Sequence, residues 1–529
     1  MSAMLTGIRL SVHWLCPLIL GVLCCGLSRA SADPQEIVVS PADDLKAAFE
    51  MVPEGGRIVL KSGIHRPPGA LRLERAGVTL TGEPGAELHA TENLTAAAML
   101  TVCADGVRIN GLVFDGGFVP SRAIRSEQTT RNLRIEDCEV RYWGKHGIDL
   151  DGAEQLVLNC HIHHCLSKAE GIRTDAHGVV TLHANGLRIE RCRINNCSGD
   201  SVQADRGSWQ NVEIVDCDMS LEPLAKSMGG FAEGDLVGEN AFDSKRESNL
   251  PRGKVLIEKC RMWGFDGSTQ QGNWAALNLK ENVEVTVQGC TVERSQIGTR
   301  FAAVRRGSPL IVHMEDCDFS KCGVALRFED LREGPDALIP ELSVDDCRIR
   351  DCKLHLMFLG YRRGSGQGPW QPPNGVFIRN CVFAPRIRLA VGTGDPKVVK
   401  EATRQLVMLG NNQEQDVLDH GAGAGDSPSQ AARGSKGVTG GRGGKAEASN
   451  ESGPVCPNDE SHRGKIYRRA GGKLHCRCPA CGALWTLPDN TAKPAPTTPE
   501  PKPAPAAEKG APGTKPAANS GKTPASASK

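Results

Sequence analysis

The sequence has almost no net charge, few aromatic side chains and, past its first residues, no long apolar run. Lys plus Arg number 63 and Asp plus Glu 62, leaving a net charge of +1. No basic surplus exists to neutralise a phosphate backbone, so nucleic acid is not expected as a partner. Twelve Phe, seven Trp and three Tyr in 529 residues are too few for an aromatic-rich sandwich core. Beyond residue 27 nothing approaches the roughly 18 apolar residues of a membrane-spanning helix. What the chain does have is 60 Gly, 32 Pro and 21 Cys, unevenly spread.

The ends account for much of that unevenness. Arg9, an apolar stretch from Leu10 to Leu27 and the small-residue site Ala30-Ser31-Ala32 read as a secretory signal over residues 1–32. The expectation is a secreted or periplasmic protein with no stable membrane insertion after cleavage. Residues 411–454 are Gly, Ser, Ala and charge, a flexible linker. Residues 487–529 are rich in Pro, Ala and Lys without periodicity, and are expected to be disordered. Between them, 455–486 holds Cys456, Cys476 and the pair Cys478 and Cys481 in a Cys-x2-Cys knuckle, resembling a degenerate zinc ribbon. Disulfides are the alternative for these cysteines.

The middle of the chain repeats itself: LRIEDCEV, LVLNCHI, LRIERCRI, VEIVDCDM, VLIEKCRM, VTVQGCTV, VHMEDCDF, LSVDDCRI, VFIRNCVF. The cysteines are Cys138, Cys160, Cys192, Cys217, Cys260, Cys290, Cys317, Cys347 and Cys381, spaced 22 to 43 apart. Such variable spacing means stacked coils with loops let out from some of them. Leu133 and Ile135 alternate inward, but the step from Ile135 to Cys138 is three, so one residue sits in a bend. Asp137, Asn159, Asp216, Asp316, Asp346 and Asn380 occupy that bend, residue types that tolerate the left-handed conformation of a sharp corner. A third strand precedes each pair: 147–152, 179–184, 201–206, 241–246, 276–281, 302–307 and 325–330. Ser40 as N-cap, Pro41 at the first helical position and the run DLKAAFEMV read as an N-terminal helix that would plug the first coil. The Cys-x4-Cys pairs, such as Cys160 and Cys165, read as stacked buried thiols rather than disulfides.

The stretch DLKAAFEMVPEGGRIVLKSGIH followed by LxIxxCxI coils resembles the pectate-lyase-like right-handed parallel β-helix superfamily, over about residues 36–390. The resemblance implies an all-β solenoid over residues 33–410 and a family of polysaccharide lyases, glycoside hydrolases, epimerases, esterases and adhesins; the protein is expected to be monomeric. Asp200 is followed by Ser201 where the hydrolase branch has an Asp-Asp pair, and the lyase branch's Trp-Ile-Asp-His strand is absent.

Aligning the third strands by alternation puts Ile148 and Leu150, Val180 and Leu182, Val202 and Ala204, and Leu277 and Leu279 inward. Two outward columns result: Asp149, Thr181, Gln203, Asp243, Asn278, Ala303, Arg327; and Asp151, His183, Asp205, Lys245, Lys280, Arg305, Glu329. Carboxylates are followed by three stacked cations, an order a folding-only face would not favour. Neighbouring cations lower a lysine's pKa, which would make Lys245 or Lys280 a proton-abstracting base. Arg206 or Arg305 would stabilise the developing charge. Asp205, Glu239 and Asp243, beside the acidic insertion 219–239, are candidate Ca²⁺ ligands. His146, His177, His183, Gln203, Asn278 and Trp209 are candidate substrate contacts. The favoured activity is β-elimination on an acidic, uronate-containing polysaccharide. The alternatives are a hydrolase using Asp205 and Asp243, or a non-catalytic cell-envelope protein that binds polysaccharide.

Overall fold

The computed structural model describes residues 35–415, apart from 268–273, 281, 305–306, 332–336, 360–369 and 392–394. It also describes the strand backbones 455–456, 459–463, 465–470, 473–477 and 484–488. The expected signal segment, most of the linker and the tail from 489 lie outside the described residues. The chain divides into two units, Met1–Ala431 and Ala432–Lys529.

The first unit is a three-sided parallel β-helix. A first sheet of 13 strands runs from Glu36–Val39 through Arg134–Glu136 to Val376–Arg379. A second, also of 13, runs from Gly63–His65 through Glu139–Arg141 to Gln413–Glu414. The third has 12 strands, from Leu71–Leu73 through Ile148–Asp149 to Leu389–Val391. Pairing is parallel and in register, so equivalent residues stack: Ile135 lies between Ile109 and Val157. The inward aliphatics Leu133, Ile135, Ile189, Ile257 and Val312 are wholly buried in one continuous core.

The corner between the first two sheets carries the repeat. Asp137, Asn159, Arg191, Asp216, Lys259, Gly289, Asp316, Asp346 and Asn380 all have φ between 50° and 61°. Each is followed by the buried cysteine of its coil. The thiol donates to the carbonyl two residues back, as from Cys160 to Leu158 (3.2 Å) and from Cys347 to Asp345 (3.2 Å). A second left-handed column leaves the second sheet: Tyr142, His164, Asn196, Arg294, Lys321, Asp351 and Arg386. Cys165, Cys197, Cys322 and Cys352 follow four of these residues, which explains the Cys-x4-Cys spacing as one short strand between two corners. The fourteen described cysteines of the solenoid are free thiols.

Both ends are capped. The N-terminal helix, Leu45–Met51, inserts Leu45, Ala48 and Phe49 into the core. Its N-cap is Asp44 rather than Ser40, because the Asp44 carboxylate accepts from the amides of Lys46 and Ala47, whereas Ser40 closes a turn with Asp43. A second helix, Pro396–Gly410, was not anticipated. It starts from Asp395 with Pro396 in its first turn and ends at Asn411 in the left-handed conformation. The solenoid does not stop at 410. Asn412 is buried, bonded to Ile378 and Leu406 carbonyls and to the amide of Cys381, and Gln413–Glu414 joins the second sheet. Residues 411–415 therefore belong to the last coil and not to the linker. Among the described residues no helix is long and apolar enough to cross a membrane.

In the second unit Val455–Cys456 pairs antiparallel with Asp459–Arg463. Lys465–Ala470, Lys473–Arg477 and Leu484–Pro488 form a three-stranded antiparallel sheet. Cys456 and Cys476 fall on these strands; Cys478 and Cys481 lie outside the described residues.

A corner that requires positive φ costs an ordinary L-residue roughly 1 kcal/mol and Asn less. Lys259→Asn and Arg191→Asn are expected to raise the stability of the solenoid by up to about 1 kcal/mol each. Asp216→Val should lower it by about 1–2 kcal/mol. Thermal melts of the three variants check this; a lowered midpoint for both Asn variants would refute the corner argument.

Candidate functional site

The outward face of the third sheet carries the charged cluster, and strand registry orders it. One outward column reads Arg125, Asp149, Val180, Gln203, Asp243, Asn278, Arg300, Arg327. Two of its members differ from the sequence reading. Val180 takes the place of Thr181, because Val179 and not Val180 enters the core. Arg300 takes the place of Ala303, because the strand is Ile297–Ala302 and not 302–307. In the second column Ala302 pairs with Glu329 in the position assigned to Arg305. Arg305 itself lies outside the described residues.

Two lysines on adjacent coils share one buried carboxylate. Lys280 Nζ lies 2.6 and 2.9 Å from the two oxygens of Asp243. Lys245 Nζ lies 3.2 Å from Asp243 Oδ2 and 3.6 Å from Asp205 Oδ1. Asp243 is 2% exposed, so both contacts act with little solvent screening. Burial draws the Lys245 ammonium toward neutrality, but Asp243, Asp200 and Asp205 outweigh it and raise its pKa above the ordinary lysine value. The expected lowering is thus reversed: the nearest charges are carboxylates, not the other lysine.

A hydrogen-bonded polar column underlies the cluster, and the sequence reading missed it. Two residues before the inward Ile148, Val179, Val202 and Phe242 stand His146, His177, Asp200 and Asn240. Each side chain accepts an amide N–H from the next coil. His177 N donates to His146 Nδ1 (3.1 Å), Asp200 N to His177 Nδ1 (2.8 Å), Asn240 N to Asp200 Oδ1 (3.2 Å) and Ala275 N to Asn240 Oδ1 (3.0 Å). The two imidazoles stack at 5.0 Å. Accepting through Nδ1 fixes both as neutral rings protonated at Nε2. Burial lowers the His177 pKa to about 4, and burial with the neighbouring His177 lowers His146 well below its ordinary value. The signal was present in the constant offset of minus two from the inward residue.

Asp200 joins this column to the cluster. Asn240 Nδ2 donates to Asp200 Oδ1 at 2.6 Å, and Gln203 Nε2 donates to Asp200 Oδ2 at 2.8 Å while lying 3.4 Å from Asp243 Oδ2. Asp200 is fully buried; burial first, then the charges of Asp243 and Glu239, push its pKa well above the carboxylate range. The remaining candidates disperse. Asn278 accepts from Arg300 Nη1 at 3.1 Å. His183 bonds Ser208 at 3.0 Å toward the surface. Arg206 is exposed in the turn after Val202–Ala204. Trp209 offers no face to a sugar: its ring is 0% exposed and its indole N–H donates to the Lys245 carbonyl at 3.0 Å. Nor do Asp205, Glu239 and Asp243 converge as a cation set. Among the described residues no three His, Cys, Asp or Glu side chains are grouped to hold a metal, and Asp243 is already bridged by two ammonium groups.

The 219–239 insertion is folded around a small core of its own, and its last residue, Glu239, lies within electrostatic reach of Asp243 and Lys280. Residues Leu224, Phe231 and Val237 of the 219–239 insertion form a small core with Leu166. The adjoining hairpin, Ser167–Ala169 with Ile172–Thr174, is tied to it by Lys168 Nζ donating to the Gly230 carbonyl. Glu239 has its pKa raised by burial and by Asp175.

Residues 105–220 match the family described as right handed beta helix region. The solenoid is a right-handed parallel β-helix. Solved structures similar to it include a pectate lyase (15% identity, TM-score 0.45, covering 57% of this chain and 79% of that one). Another is a polygalacturonase from Erwinia carotovora ssp. carotovora (11%, 0.40, 68% and 96%). A third is a mannuronic acid specific polysaccharide family 6 lyase from human gut microbiota (12%, 0.41, 69% and 84%). No curated protein matches the chain in sequence.

The Asp200 proton is a stability term with a definite sign. The unfolded chain releases it near pH 4, whereas the folded chain holds it to a higher pH. Folding stability therefore falls as pH rises above about 4, until the folded pKa is passed. Asp200→Asn carries no such proton, so it should lose less stability than the parent protein between about pH 4 and 8. Parallel stability–pH curves for the two proteins would contradict this.

Proposed function

We propose that this is an extracytoplasmic carbohydrate-active protein, and that the Asp243–Lys245–Lys280 cluster cleaves an acidic polysaccharide by β-elimination. The observation that carries the reading is the sharing of one buried carboxylate by two lysines on adjacent coils. Asp243 holds Lys280 at 2.6 Å as a fixed cation, while Lys245 is the more exposed of the two, with 24% of its side chain accessible. A uronate carboxylate arriving at the cluster would be neutralised by the ammonium of Lys280, which acidifies the proton at C5 of the sugar. Lys245, in its unprotonated form, would remove that proton; the electron pair forms the C4–C5 double bond as the C4–O glycosidic bond breaks, and the departing oxygen takes up a proton from the newly protonated Lys245 or from water. Asp205, its weaker partner at 3.6 Å, can be released without leaving a buried charge unpaired. Gln203, between Asp200 at 2.8 Å and Asp243 at 3.4 Å, would position Asp243 from the neighbouring coil, with Asn240 holding Asp200. Ca²⁺ enters this reading only as an ion shared with the substrate's own carboxylates, and zinc only through Cys456, Cys476, Cys478 and Cys481 of the second unit.

The raised Lys245 pKa makes the reading testable by pH. The unprotonated fraction grows about tenfold per pH unit below the pKa. The appearance of unsaturated products from polygalacturonate or polymannuronate, followed by absorbance, is expected to rise steadily from neutral to alkaline pH. It should fall by at least about a hundredfold in Lys245→Ala, with the fold retained. An acid optimum with reducing ends but no unsaturation would favour a hydrolase working through Asp205 and Asp243. Absence of turnover with retained binding would favour a non-catalytic envelope protein. Running each assay with and without chelator tests the ion.

A further inference from the structure

The arrangement of two cations on one carboxylate occurs a second time farther along the same face. Arg300 and Arg327 are direct register partners on adjacent coils, in the column that contains Asp243. Both bind Glu329: Arg300 Nη2 at 2.6 Å to Oε2, and Arg327 Nη2 at 2.5 Å to Oε1. Arg300 also donates to Asn278, the residue between it and Asp243 in the column. The two guanidiniums share one directly bonded carboxylate, with Asp330 and Asp243 acting on Arg300 from farther away, in a site where Arg300 and Glu329 are 8% and 6% exposed. The Nε groups of both arginines are buried without a hydrogen-bond acceptor among the described residues. Arg327 keeps 18% of its side chain accessible. Its pKa is lowered, by burial first, with Arg300 adding to the lowering against Glu329, whereas that of Arg300 is raised because Glu329, Asp330 and Asp243 outweigh its burial. At position 302, between Lys280 and Glu329 in the second column, the side chain is only a methyl group.

We propose that Arg300 and Arg327 form a second carboxylate-binding subsite, so that the protein selects chains in which acidic sugars follow one another closely. Arg327 lies three coils from Asp243, about 14 Å at the spacing of paired strands. One sugar cannot reach both positions, whereas a short run of acidic sugars lying along the sheet can. A planar guanidinium binds a carboxylate through two parallel N–H donors, which a lysine cannot copy. This subsite rests on the reading of the lysine cluster as a uronate site, and it adds a length and charge-spacing requirement to it.

Calorimetric titration of the full chain with oligogalacturonates and oligomannuronates of two to six residues, alongside methyl-esterified forms, tests the subsite. Affinity of the unmodified protein for the acidic oligomers should step up at the length that spans both positions. Arg327→Gln should abolish the step, an approximately tenfold or greater loss for the longest oligomer, with little change for the dimer. Arg327→Lys, which keeps the charge and a partner for Glu329, should recover only part of it and covers the case in which the Gln variant fails to fold. A step unchanged in both variants overturns the subsite while leaving the lysine cluster intact. If Lys245→Ala and the esterified oligomers also bind as the unmodified pair does, the lysine reading itself has failed.

Discussion

Parallel hydrogen bonding between successive coils is the constraint on which the rest of this structure depends. It holds equivalent residues about 4.8 Å apart along the axis, so whatever stands at one position in a coil must tolerate its counterpart above and below. Apolar side chains satisfy this easily. Phe301, Phe328 and Phe358 stack nearly face to face, at 4.7 and 5.0 Å. The cysteines do so as small buried thiols whose Sγ–H finds a carbonyl acceptor at the corner, which gives them a role without any disulfide.

Polar groups obey the same constraint differently. In the His146–His177–Asp200–Asn240 column each side chain is an acceptor, and the donor is the backbone amide of the next coil. Stacking then satisfies buried polar atoms instead of opposing like with like. Charged groups have no such solution within one column. The protein resolves the problem by letting two cations from neighbouring coils meet one carboxylate, at Asp243 and again at Glu329. These are buried ion pairs, so they offer little net stability over an apolar face, yet removal of the shared carboxylate would leave the buried cations short of their nearest partner. A face with that property is suited to receiving further anions from outside.

The functional reading follows from this electrostatics more than from kinship. The solenoid supplies rigid spacing, the capping helices close its core, and the folded insertion 219–239 brings Glu239 near the cluster. Lys245 is held as a cation by Asp243 and Asp205, so its action as a base depends on pH and on what the incoming substrate does to those partners.

Much of this was legible in the sequence, and the boundary is instructive. The left-handed corner is a property of one residue and its neighbours, so Asp137, Asn159 and Asn380 revealed it through their residue type alone. Period-two alternation placed Asp243, Lys245 and Lys280 on one outward face. The helix Pro396–Gly410 carries local signals of its own, Asp395-Pro396 and an amphipathic run, but these lie outside the coil repeat. Alternation failed where two apolar residues are adjacent, as at Val179-Val180, and where an inward position is polar, as at Thr299 in the strand misplaced to 302–307. Beyond that, an outward position does not say what covers it: Asn278 is taken by Arg300, and Trp209 is sealed in the core. Local backbone preference and residue periodicity therefore determined the fold and the face. Only the tertiary structure decided which charges meet, because that depends on the registry of coils separated by loops of unequal length and on the reach of side chains between them.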